Sequence, residues 1–145
     1  MKEDLTDKIR EAFGLSEVDI RTYSPLTLAY IGDCIYELIV RTMLVERGNS
    51  QVNHLHKRAS GLVKAVTQKE LLHTIEDLLT EEEISVYKRG RNAKSFTTAK
   101  NASVSDYRTA TGLEALMGYL YLKKETDRII FLMHEGFSRL ELIKE

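Results

Sequence analysis

Among its 145 residues the sequence has one proline, one cysteine and no tryptophan. The single cysteine, Cys34, rules out an intramolecular disulfide and suits a reducing compartment, so a cytoplasmic location is expected. The single proline, Pro25, leaves long stretches free to be helical. No useful stretch alternates apolar with polar residues, so no strand is expected. A clean membrane span is missing too. The segment Leu28–Val45, "LAYIGDCIYELIVRTMLV", has nearly the length, but Asp33, Glu37 and Arg41 interrupt it. Each would cost about 2.5–3.5 kcal/mol near the centre of a spanning helix. The opening "MKEDLTDKIREAFG" lacks the apolar stretch of a signal peptide. Acidic residues are absent from Ile84 to Ser105, whereas Lys88, Arg89, Arg91, Lys94 and Lys100 all fall there.

The composition, 43% hydrophobic and 30% charged with a net charge of −1, is that of a globular domain. A chain of this length fits one core and can bury about 68–70% of its unfolded surface. Helical signals recur throughout. An amphipathic helix is expected over about 3–13, ended by Gly14. Ser24 and Pro25 are a cap and a first turn, opening a long helix to about Arg47 before Gly48. Ser50 then opens a helical stretch over about 51–77, with a break near Gly61. Thr80 and Glu83 form a capping box for a short helix to about Arg89. Residues 90–104 read as a basic loop. Ser103 or Ser105 caps a helix to about Lys124, and Thr126 opens the last, to about Ile143. The expected fold is all-α, with residues 1–24 as an N-terminal helical extension and 25–145 as the main domain.

Two of these helices, Pro25–Val45 and Tyr107–Leu122, are apolar around most of their circumference. Such helices belong at the centre of a fold or at an interface, and self-association is one way to cover them. Both carry carboxylates. Glu37 has Arg41 four residues on, in the favourable order, and a structural pair accounts for it. Asp33 and Glu114 have no basic residue three or four positions away. Burial without a partner would be costly or would raise their pKa values. Two arrangements would satisfy them: separate distant arginines, or a shared divalent cation, for which Mg²⁺ suits hard oxygen ligands. Cys34 is expected as a small core residue, and Tyr30, Tyr36, Tyr119 and Tyr121 as core or interface packing. His54 and His56, two apart, would point to different sides of a helix, against a zinc site.

"LAYIGDCIYEL" resembles the ribonuclease III signature, and "GLEALMGYLYL" is similar to that family's second motif. Together with the basic loop "KRGRNAKSFTTAKN" they resemble its compact bacterial branch, Mini-ribonuclease III, over about 25–135. The resemblance implies a homodimeric, all-helical endonuclease domain that cuts double-stranded RNA with Mg²⁺, typically the precursor of large-subunit (23S) ribosomal RNA. A ribosomal protein presenting the substrate would be a further partner. It implies Asp33 and Glu114 as catalytic, metal-binding residues; on chemical grounds, apart from the resemblance, Glu37 would orient them from behind. Arg89, Arg91, Lys94 and Lys100 would contact RNA, with Lys57 and Arg58 as second choices. The chain departs from larger relatives in having Ala29 and Thr111 where they place further carboxylates, and His54 where they often carry an acid. The competing readings are a non-catalytic RNA-binding or scaffold dimer, and another all-α metal-dependent phosphohydrolase.

Overall fold

The computed structural model describes residues 4–93 and 103–143, and its regular elements are seven α-helices and two short 3₁₀ turns, with no strand among the described residues. The helices are α1 (Leu5–Phe13), α2 (Pro25–Glu46), α3 (Val52–Val63), α4 (Ala65–Ile75), α5 (Glu81–Asn92), α6 (Val104–Leu122) and α7 (Thr126–Arg139).

Their ends follow local chemistry. Gly14, at φ 63°, closes α1 by donating its N–H back to Arg10 and Glu11. Ser24 Oγ accepts the Thr27 N–H at 3.1 Å to open α2. Thr80 and Glu83 bond reciprocally, at 3.1 and 2.9 Å, to open α5. Of the two candidate serines, Ser103 caps α6, accepting the Asp106 N–H at 3.0 Å.

The stretch over 51–77 divides elsewhere than expected. Gly61 stays helical, and the chain turns at Lys64, whose extended backbone ends α3 and begins α4. Four carbonyls at the end of α3 then need donors. Ser60 receives the Lys64 N–H at 3.2 Å. The next three are capped by side chains: Gly61 by Thr67 Oγ1 at 2.8 Å, Leu62 by the Tyr36 hydroxyl at 2.7 Å, and Val63 by Gln68 Nε2 at 2.9 Å. Donors supplied by α2 and α4 replace the usual left-handed cap. Ser50 does not start α3; Gln51 stands at the N-cap without a side-chain bond. The basic segment is also more helical than expected, because α5 runs on to Asn92.

Helix α6 is the hub. Leu113, Ala115, Leu116 and Met117 have no exposed surface, and α2, α4, α5 and α7 all pack against this helix. Its crossing with α2 is a backbone contact. A Cβ on Gly32 would fall on the Glu114 carbonyl, and one on Gly118 would fall on the Leu28 carbonyl. Only glycine permits that approach.

The far side of α2 is uncovered in the single chain. Leu26, Tyr30, Leu38 and Val45 are 38%, 84%, 52% and 57% exposed, and Cys34 is exposed with them. The sequence reading of Cys34 as core is therefore corrected. These residues recur at helical spacing on a stripe turned away from α6. Apolar character allowed either the centre of the fold or an interface; the helix's rotation leaves them at the surface of the single chain. Tyr36, on the inner face, has no exposed surface and meets Phe137 edge-to-face at 6.2 Å.

Candidate active site

The glycine crossing brings the two acids together. Asp33 follows Gly32 in the chain, and Gly32 lies directly on the backbone carbonyl of Glu114. The side chains of Asp33 and Glu114 consequently meet within hydrogen-bonding reach. Asp33 is on the exposed rim and Glu114 is half-buried beneath it. Sequence reasoning placed both acids in the core; Asp33 is instead exposed, on the flank of α2 between its α6 contact and its exposed stripe.

The electrostatics of the pair are unusual. Burial, the neighbouring Asp33 charge and a hydrogen bond to Asp33 push the Glu114 carboxyl up to about 8, against a smaller lowering by Gln68. No lysine or arginine among the described residues forms an ion pair with either acid. The distant-arginine arrangement is therefore absent there. Two facing carboxylates without a counter-charge are the donor set a hard divalent cation takes, and the residues fit such an ion. Among the described residues no cluster of three or more His, Cys, Asp or Glu is suited to a metal, so an ion here would keep several water ligands.

Glu37 lies one turn beyond Asp33 on α2. Its carboxylate receives Arg41 Nη2 at 3.3 Å, the expected pair, with both side chains partly exposed. The basic candidates separate. Arg89 joins Pro25, Ile84, Ser85, Lys88 and Asn92 around an open groove of about 620 Å³. Arg91 lies over the Tyr87 ring at 5.4 Å and faces a second groove, of about 320 Å³, that also holds Ser105 and Arg108. Lys94 and Lys100 lie outside the described residues. Lys57, Arg58, His54 and His56 are exposed on α3.

One site residue was missed by the sequence reading. Gln68, on α4, is 3% exposed and donates through Nε2 to Glu114 Oε2 at 3.3 Å as well as to Val63. Its Oε1 is buried with no hydrogen-bond partner among the described residues. Its partner is 46 positions away, so no local spacing announced it. Tyr36 belongs to the same neighbourhood: burial and the nearby Glu114 charge raise its hydroxyl far above the usual range, so it stays protonated as the donor to Leu62.

Two facing acids on an all-helical frame are an arrangement able to hold a divalent cation for phosphodiester chemistry. The profile of the Ribonuclease III domain matches residues 26–125, and the chain belongs to the ribonuclease III family, as an endoribonuclease. Within that family it is similar to proteins named Mini-ribonuclease 3. One from Clostridium tetani is 49% identical over 116 residues, covering 79% of this chain and 77% of that protein. One from Thermoanaerobacter is 50% identical over 115 residues, covering 79% and 81%. The crystal structure of a Fusobacterium nucleatum protein superimposes with a TM-score of 0.73 at 35% identity, covering 80% of this chain and 93% of that one. The family is generally metal-dependent. No helix among the described residues is long and apolar enough to cross a membrane.

Proposed function

We propose that this protein is a Mg²⁺-dependent endonuclease of double-stranded RNA that works as a homodimer on the precursor of large-subunit (23S) ribosomal RNA. The observation that carries the reading is the meeting of Asp33 and Glu114 with no neutralising lysine or arginine among the described residues. Asp33 and Glu114 hold the cation, and when bound it supplies charge relief at the scissile phosphate and a more acidic water. Asp33, on the rim, is the acid that reaches the substrate side; its carboxylate also suits orienting the attacking water. Glu114 anchors the ion from below. Glu37, one turn along α2, steers Asp33 through the charge balance it shares with Arg41.

Double-stranded RNA is read mainly through shape and phosphates. Arg89 and Arg91, with Lys94 and Lys100, supply the cations for that contact. The exposed stripe of Leu26, Tyr30, Leu38 and Val45 on α2 is the dimer surface, which would cover the apolar area the single chain leaves open. The direct test is incubation with long double-stranded RNA, with Mg²⁺ and then with chelator. Cleavage into shorter duplexes that stops on chelation is expected. Chelator-resistant cleavage, or none with Mg²⁺, overturns the reading.

A further inference from the structure

We propose that Gln68 is a positioning residue of this site: its amide holds the Glu114 carboxylate against the α3–α4 corner, so that the carboxylate's remaining lone pairs face a divalent cation. The proposal rests on the metal reading given above.

The orientation of the amide is not free. Val63 O, at the end of α3, can only accept, so the group facing it at 2.9 Å is Nε2. The same nitrogen's second hydrogen reaches Glu114 Oε2 at 3.3 Å. Once these bonds are made, Oε1 lies buried with no donor among the described residues. An apolar side chain of similar length would fill the space without that orphan oxygen. The amide is therefore explained by its two donations, and one of them ends on the acid. Chemistry narrows the residue type further. A lysine or arginine here would also orient Glu114, but would neutralise the charge a cation needs. Glutamine donates without adding charge.

Thr67 provides an internal control. It is buried beside Gln68 and caps the same corner, through Gly61 O at 2.8 Å, and it makes no hydrogen bond to Glu114. A purely structural role for Gln68 would make the two positions behave alike.

The experiment titrates the RNA-free protein with Mn²⁺, followed by electron paramagnetic resonance. Alongside it, the metal concentration for half-maximal cleavage of long double-stranded RNA and the metal-free Tm are measured. Gln68→Met, which keeps length and removes both donors, is expected to weaken Mn²⁺ binding by roughly 10–100-fold, as loss of a ligand-orienting partner does. The half-saturating metal concentration for cleavage should rise in parallel, with activity largely recovered at saturating metal. Thr67→Val should lower Tm without moving either metal curve. Gln68→Ala, smaller and free of steric strain, is the second variant. Wild-type metal curves in both Gln68 variants overturn the proposal. So does an equal shift in Thr67→Val, or loss of folding in both Gln68 variants while Thr67→Val folds, since each assigns Gln68 to the corner alone. Failure of the underlying reading looks different: Mn²⁺ does not bind the wild type, or binds Glu114→Gln equally well.

Discussion

Two glutamates of this chain sit in contrasting surroundings. Glu83, 6% exposed in its side chain, receives Arg128 at 2.8 Å and 2.7 Å, while Arg128 also donates to Leu78 O at 2.7 Å. Burial pushes Glu83 up, but the Arg128 guanidinium and the Thr80 cap outweigh it and hold the carboxyl below its usual range. Among the described residues Glu114 has no such partner; it faces another acid and a neutral amide, and is pushed up to about 8. One acid is satisfied by the fold and joins α5 to α7. The other is left wanting a cation that the described chain does not supply. That asymmetry separates a carboxylate satisfied by the fold from the one proposed to act.

The widest gap between the two should appear in cleavage. Glu114→Gln and Asp33→Asn should each lower the rate by more than about 100-fold with folding intact, while Glu83→Gln should leave the rate per folded molecule near wild type. Circular dichroism beside the cleavage assay checks this, and a fully active Glu114→Gln would erase the contrast.

In stability the order reverses. Arg128→Met strands a buried carboxylate and should cost about 3 kcal/mol, at the low end for a broken buried pair because Arg128 keeps 27% of its side chain exposed. Denaturant unfolding measures it.

The pH response sharpens the pair further. Between the ordinary value of 4.5 and about 8, folded metal-free protein holds a proton on Glu114 that the unfolded chain has released, so stability should fall as pH rises through that window. Glu83 acts oppositely, its contribution being lost as pH falls below 4.5 through the lowered folded value. Tm of chelator-treated protein across pH 3 to 8, with Glu114→Gln flattening the decline above 4.5 and Glu83→Gln altering the fall below it, resolves the two.

The smallest effect concerns the basic residues. Arg89→Ala with Arg91→Ala should weaken RNA binding several-fold and reduce the slope of log affinity against log salt by roughly 1–2. An unchanged slope would remove both from the RNA surface.

Much of this was legible in the residues themselves. Ser24–Pro25, the Thr80–Glu83 box and Gly14 act within one turn, so the local pattern contains the whole interaction. The acids at 33 and 114 stood out because each lay in an apolar helix without a local counter-charge. What was hidden depends on distant partners. Gln68 reaches Glu114 across 46 positions and Arg128 reaches Glu83 across 45, and neither spacing carries a signal. The turn at Lys64 was hidden for the same reason, since two of its caps come from α4 and one from α2. Cys34 misled, and Tyr30 was left between core and interface, because an apolar side chain does not declare whether its cover belongs to its own chain.

The glycine crossing has a consequence for how this enzyme tolerates change. Because Gly32 rests on the Glu114 carbonyl and Gly118 on that of Leu28, the gauge between the acids at 33 and 114 is set main chain to main chain. Side chains farther out, such as Val40 or Leu132, can shrink or swap with a loss of thermal tolerance while the two oxygens keep their spacing. Heat resistance and chemistry can thus drift independently in this scaffold, except at two positions where a single added methyl would disturb both.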